Sequence, residues 1–362
     1  MATDLKKMLK VVKNPYGSIA SQGILGDNFR RIDTGSYALN ALLSADIYGG
    51  FPSNRIISFS APQASGKSYI AQSCGRYYLE DRPTNKIVMF ETEGAQTSES
   101  FKKMGIDTDR LLFLPIETVE DLHTQFLNIM AIIEEQPAGD KDTYLFILDS
   151  LGGLSTNKEL KDRTEGATTK DMTRASLVKA FFRTCDLKLA KNDCAMIVIN
   201  HTYADMGSMF PGQVISGGSG MQYSSSANFV CTKSKDLNSS KAHIGTVITC
   251  TGRKNRFVRE NLKIQFAIKF NSGLDRYYGL FDIAVDAGII VKEGKSGFLF
   301  NEADGKTVTK ITEANFKRTP AKYWSTDRLN LVNEWIKVNF AYGSGEIPDT
   351  SEVPDDFDES EI

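Results

Sequence analysis

The chain has 362 residues, 41% hydrophobic and 24% charged, with a formal net charge of −2. That is enough apolar material for one large domain with smaller additions. No apolar run approaches the roughly 20 residues needed to cross a bilayer, and Met1–Lys7 lacks the apolar core of a signal peptide, so a soluble, intracellular protein without a membrane partner is expected. Cys74, Cys185, Cys194, Cys231 and Cys250 are scattered with no C-x-x-C pair, and the three histidines stand far apart. Neither a disulfide framework nor a transition-metal site is suggested. Residues 346–362 hold eight acids and no Lys or Arg, which leaves the remainder at +6. A basic body with an acidic tail suits a nucleic-acid binder.

In chain order, Leu5, Met8, Leu9 and Val12 recur at helical spacing before Asn14-Pro15-Tyr16-Gly17 breaks the pattern. So short a helix is not stable alone and must pack on its own body or on another subunit. Arg31–Ser36 with Leu39, Leu42 and Leu43 predicts a capped helix. The apolar strand Arg55–Phe59 then leads into Ala61-Pro62-Gln63-Ala64-Ser65-Gly66-Lys67-Ser68 and a helical run over Tyr69–Leu79. Strand, loop and helix in this order read as a phosphate-binding loop, with Ala61 in place of the usual first glycine. Backbone N–H groups and the helix N-terminus face the phosphates, Lys67 reaches the β/γ oxygens and the Ser68 hydroxyl holds magnesium.

The strand Lys86–Phe90 ends in Glu91-Thr92-Glu93, and carboxylates at that point lie where an α/β sheet binds its ligand. A strand over Leu111–Pro115, a helix over Thr118–Glu135 and a strand over Tyr144–Leu148 follow, the last closed by Asp149-Ser150. An aspartate there, in a chain with a phosphate loop, fits the second nucleotide motif. Leu151–Thr168 has no apolar period and is expected to be a mobile loop. The helix Thr169–Lys191 precedes a core strand, Ala195–Ile199, that delivers Asn200-His201-Thr202 to the same edge. Tyr203–Gly220 is a long Gly-, Ser- and Met-rich loop of the kind that is usually functional or disordered. Strands Ala227–Lys233, Thr246–Thr251 and Leu262–Phe270 extend the sheet in antiparallel fashion. The bases Arg253, Lys254, Arg256 and Arg259 between the last two suit a phosphate, either of a neighbour's nucleotide or of nucleic acid, and composition leaves both open. Gly279–Phe340 mixes helix and hairpin patterns before the acidic tail.

Taken together, Thr34-Gly35-Ser36, Pro62–Ser68, Phe90–Glu93, Met104-Gly105-Ile106-Asp107, Leu148–Gly152, Asp171–Ala175, Asn200–Tyr203 and Lys254-Asn255-Arg256 resemble the RecA family of recombinases, in its phage branch. The resemblance implies an α/β fold with a RecA-type P-loop NTPase core over 31–275, a mostly parallel twisted sheet flanked by helices. It also implies an N-terminal helix and oligomerisation tether over 1–30, a small C-terminal α/β domain over 276–343 and a disordered tail over 344–362. ATP and Mg2+ are the implied cofactors. Ala61 to Ser68 and Tyr69 would bind the nucleotide, with Ser68 and Asp149 on the metal. Glu93 rather than Glu91 would be the general base, a choice the residues alone leave tied. Lys67 would take part in catalysis, and His201 would act as γ-phosphate sensor where cellular members usually carry glutamine. Phe101 is the candidate for stacking on adenine. Lys254 and Arg256 would reach the neighbouring subunit's ATP, and 155–168 and 203–217 would be the DNA-contacting loops. The implied activity is ATP hydrolysis coupled to DNA strand exchange. It would run in a helical homo-oligomer on single-stranded DNA paired with double-stranded DNA, in an infected bacterial cytoplasm, helped by a single-strand-binding protein and a recombination mediator. The alternative is a ring motor of replicative-helicase type on the same core. Such helicases usually carry a separate N-terminal domain, and about 30 residues precede the core here.

Overall fold

Five apolar runs form most of the parallel part of one sheet: β1 (Ile56–Ala61), β2 (Lys86–Glu91), β3 (Leu111–Pro115), β4 (Tyr144–Asp149) and β5 (Ala195–Ala204). The computed structural model describes residues 5–343 apart from 28, 138–141, 167–172, 205–212, 216–219, 239 and 296. The tail and parts of both expected DNA loops therefore lie outside the described residues. Three further strands, β6 (Ala227–Leu237), β7 (His243–Asn255) and β8 (Lys263–Lys269), extend the sheet together with the two-residue strand Gly273–Leu274. From one edge to the other the order is Gly273–Leu274, β8, β7, β6, β1, β5, β4, β2, β3. Strands β6, β1, β5, β4, β2 and β3 run parallel, and β7 and β8 antiparallel.

Alternation along each strand sends side chains to two separate cores. Ile57, Phe59, Ile87, Ile147 and Ile197 pack under helices α2 (Tyr37–Ser44) and α3 (Lys67–Asp81). Ile56, Val88, Phe146 and Val198 pack against α4 (Val119–Glu134) and α5 (Arg174–Lys191), where Phe126, Phe181 and Phe182 are fully buried. Both faces are covered, so the chemistry of the sheet is confined to its edges. Register decides which residues meet there: Ala61 pairs with His201, and Glu91 with Asp149.

Beyond the sheet, the helix Leu280–Asp286, a three-stranded antiparallel sheet (Ile290–Glu293, Gly297–Asn301, Val308–Ile311) and the helix Thr326–Phe340 build a smaller unit around Phe300, Phe316 and Trp324. Val332, Ile336 and Phe340 join it to the first core, and Asn333 Oδ1 accepts the Ile47 N–H at 2.8 Å.

One open sequence expectation narrows and another changes. The N-terminal helix Leu5–Val12 buries none of its residues, and Leu5, Met8, Val11 and Val12 are exposed, so it does not pack on its own body. The stretch expected to be a loop after Leu151 contains the helix Asn157–Thr164. That helix carries a single apolar residue, Leu160, and is held by the Thr156 cap on the Glu159 N–H and the Glu159–Arg163 ion pair, so apolar periodicity could not reveal it.

Candidate nucleotide site

The loop after β1 turns through two left-handed residues, Ala64 at φ +54° and Gly66 at φ +84°. A side chain at Gly66 would be strained by that backbone, and its Cβ would lie 2.8 Å from Ile268 Cδ1. Helix α3 begins directly afterwards, so the first orphan N–H groups of the helix open onto the loop. Lys67 is 6% exposed, and its Nζ donates to Ala61 O at 3.0 Å and Pro62 O at 2.8 Å. Burial pulls its pKa down, partly offset by the charges of Asp149 and Glu93. The Ser68 hydroxyl stands beside the Asp149 carboxylate. Burial pushes the Asp149 pKa up, the Ser68 hydrogen bond opposes this, and Glu93 and Glu91 add to the upward push. A hydroxyl and a carboxylate side by side make an oxygen donor pair suited to a hard cation such as Mg2+.

The two glutamates that the residues left tied occupy different environments. Glu91 is 3% exposed and its carboxylate accepts the N–H groups of Glu93, Gly94 and Ala95 at 3.1, 2.7 and 3.3 Å. Glu93 has a side chain that is 50% exposed. Its Oε1 lies 3.2 Å from both Ser150 Oγ and His201 Nε2, which are 3.1 Å from each other. Ser150 is held by its N–H donating to Thr92 Oγ1 at 3.0 Å, and the His201 N–H donates to Asn200 Oδ1 at 2.9 Å. A carboxylate facing solvent beside a hydroxyl and an imidazole can accept a proton from a water and orient it. Ser150 was not singled out as a site residue from sequence, because a serine after a strand-end aspartate reads equally as a cap.

Lys254 and Arg256 are not part of this cluster. Lys254 pairs with Asn228 and Asn255 with Ala227, while Ala227 pairs with Ile57 at the start of β1. The basic pair thus lies on the edge where β1 begins, and the phosphate loop on the edge where it ends. Four strand residues from Ile57 to Ala61 put roughly 13 Å between those edges at about 3.3 Å per residue. Lys254 Nζ donates to the carbonyls of Gln222 at 2.9 Å and Tyr223 at 2.7 Å. Burial and the neighbouring Arg256 lower its pKa, against the pull of Asp186 and Glu260. The Asp186 carboxyl is pushed up by burial, opposed by a Ser224 hydrogen bond and by Arg256, Lys254 and Arg55.

The RecA N-terminal domain family matches residues 4–275. The chain belongs to that family. It is 29% identical over 297 residues to the "Recombination and repair protein" of Enterobacteria phage T4, covering 82% of this chain and 72% of that protein. It is 26% identical over 275 residues to "Protein RecA" of Nocardioides sp., covering 75% and 74%. "Protein RecA" of Mycoplasma mycoides is 26% identical over 329 residues, covering 87% and 89%.

Two further candidates from this RecA-family chain fall elsewhere. The Tyr69 hydroxyl bonds the backbone of Leu274 and fills the space above Gly273, so it secures the last strand of the sheet. Phe101 is 3% exposed and packs edge-on to Phe113 with ring centroids 6.1 Å apart. The capped helix Ser98–Lys103 turns that ring inward onto β3, where it lines a cavity with Gln96, Thr97, Thr108 and Leu111. Sequence reasoning also missed a cation at the loop itself. Lys233 on β6 donates to Gln63 O at 3.2 Å and Ala64 O at 2.8 Å.

Proposed function

We propose that this RecA-family protein is a DNA-dependent ATPase and recombinase. It assembles as a helical filament on single-stranded DNA and drives homologous pairing and strand exchange in recombination, repair and recombination-dependent replication. The observation that supports this reading is the placement of two groups at opposite ends of β1: Lys67, Ser68, Glu93, Asp149 and His201 gather at one, and Lys254 and Arg256 stand at the other. One subunit cannot close such a site, but head-to-tail stacking brings one edge onto the next subunit's other edge. Repeating that heterologous contact produces a helix or a ring. The exposed apolar face of the N-terminal helix provides a tether for the same stacking, and Leu112 and Ile132 beside the outer strand β3 offer exposed apolar surface.

In this account Lys67 leaves its two carbonyls for the β/γ-phosphate oxygens, and the loop N–H groups cradle the phosphates. Ser68 and Asp149 hold the metal, which supplies positive charge against the negative charge that develops on the transferred phosphoryl group. Glu93 accepts the proton of the attacking water, with Ser150 and His201 fixing its carboxylate. His201 lies beside β1 and passes the state of the γ-phosphate into the strand that leads to Tyr203 and the second DNA loop. Lys254 and Arg256 of the neighbouring subunit complete the charge around the phosphates. ATP is then held by both halves of its site only in the stacked arrangement, so binding stabilises the DNA-holding state and hydrolysis releases it. DNA contacts are to backbone and stretched bases, without sequence preference and salt-sensitive. A single-strand-binding protein and a mediator are the expected partners, in the cytoplasm of an infected bacterium. Among the described residues no helix is long and apolar enough to cross a membrane.

Lys67→Ala tests the loop: the protein folds, and ATP turnover and strand exchange are lost. Robust hydrolysis by that variant refutes the assignment. Electron microscopy with single-stranded DNA and a non-hydrolysable ATP analogue separates the filament from the ring motor by inspection.

A further inference from the structure

Lys233 belongs to none of the roles above, yet it touches the phosphate loop at its tip. It sits on β6 directly opposite Ile248 of β7, and Ile248 with Ile268 of β8 supplies the apolar floor beneath Gly66. Strands β6 to β8 therefore meet the loop in two ways, by van der Waals contact at Gly66 and by an ammonium on the carbonyls of Gln63 and Ala64. The second contact has a geometric consequence. In a trans peptide the C=O and N–H point in opposite directions. Drawing Gln63 O and Ala64 O toward Lys233 turns the N–H groups of Ala64 and Ser65 the other way, away from the strand. Successive backbone N–H groups turned to one side form an anion-binding concavity. Ala64 also holds a left-handed φ of +54°, which is unfavourable for a residue with a side chain, so the loop shape needs an external hold.

We infer that Lys233 is a positioning residue, a latch that keeps the Gln63–Ser65 backbone in its phosphate-accepting shape before nucleotide arrives. This rests on the reading of the loop as the ATP site. The latch acts through the loop carbonyls, so its loss falls on nucleotide affinity more than on the chemical step.

The test uses the full chain with Lys233→Met and Lys233→Arg. Binding of a fluorescent ADP analogue with Mg2+ is titrated without DNA, and ATP hydrolysis is followed against ATP concentration with saturating single-stranded DNA. The latch predicts that Lys233→Met weakens the ADP analogue and raises the KM for ATP by about tenfold each, with kcat lowered less than about threefold. Lys233→Arg, which keeps the charge and the donors, restores affinity to within about threefold of the parent. An unchanged affinity in Lys233→Met, or a fall in kcat at constant KM, overturns the inference. So does a loss of DNA affinity with a shallower salt dependence and normal nucleotide binding, which would make Lys233 a DNA contact. Lys67→Ala measured alongside separates the two levels. If it still hydrolyses ATP, the phosphate-loop reading has failed; if it is inactive while Lys233→Met matches the parent, only the latch has failed.

Discussion

Lys67 and Lys254 stand at opposite ends of β1, Lys67 opening the helix that follows the end of that strand and Lys254 paired with Asn228 beside its start. Covered faces leave the edges as the places where polar side chains can meet a ligand. A site that needs both lysines therefore needs two copies of the chain, stacked edge to edge. Arg256→Ala should lower ATP hydrolysis at filament-forming concentrations by about 10³-fold, the scale of an arginine supplied in trans. The same variant should bind a fluorescent ADP analogue normally at concentrations too low for assembly. Normal turnover refutes the role in trans.

Glu91 and Glu93 should respond differently to the same change. Glu93→Gln keeps fold and nucleotide binding but lowers kcat by about 10²–10⁴, the usual contribution of a positioned base. Glu91→Gln weakens the charge-assisted acceptor of three backbone N–H groups and should destabilise the protein by about 1.5–3 kcal/mol. Thermal melts and steady-state kinetics on both variants check this; identical behaviour contradicts the division of roles.

Asp149 gives a pH prediction with a definite sign. Burial holds its carboxyl above the ordinary carboxylate range in the folded protein. The stability linked to this group is fully present below the unfolded pKa and is lost as pH rises through the folded pKa. At neutral pH the ionised, buried carboxylate is a cost that a ligand-free protein bears. Asp149→Asn should therefore melt no lower than the parent at pH 7, and its advantage should shrink on acidification. The variant should also lose the extra stabilisation that Mg2+ with nucleotide confers on the parent. A variant that melts lower at neutral pH and gains at acid pH contradicts this.

Removing residues 1–13 should leave the melting temperature of the remaining chain within about 1 °C, because no residue of Leu5–Val12 is buried. Assembly on single-stranded DNA should shift to at least about tenfold higher protein concentration, since docking even one Leu or Val side chain contributes about 1.5–3 kcal/mol. Sedimentation and light scattering on DNA measure both. A large loss of monomer stability shows that the helix packs on its own chain.

The frame of this fold is written plainly in the chain. Four of the parallel strands, β1, β2, β4 and β5, are apolar runs that lead into the groups the register assembles, Ala61 through Ser68, Glu91 to Glu93, Asp149 and His201. What escaped was set by backbone paths and cross-strand contacts that no local pattern encodes. Glu91 and Glu93 follow the same strand, and only the turn that folds three N–H groups over Glu91 tells them apart. Phe101 reads as an aromatic near an expected base, and its burial depends on which way a short capped helix rolls. Lys233 looks like any polar residue on an alternating strand until β6 is placed under a loop 170 residues earlier. A trans role for Lys254 and Arg256 is legible only through family resemblance, while the strand pairing shows that they lie at the opposite end of β1 from the phosphate loop.

Mixing Lys67→Ala with Arg256→Ala tests the shared site most directly. Each variant alone spoils every interface, through its own loop or through its neighbour's missing base. In a random equimolar filament, about one interface in four pairs an intact loop with an intact Arg256, because the head-to-tail contact draws each half from a different subunit. The account predicts that two inactive preparations regain roughly a quarter of parental ATP hydrolysis on single-stranded DNA when mixed before assembly. No recovery, from variants shown to co-assemble, would contradict a nucleotide site shared between subunits.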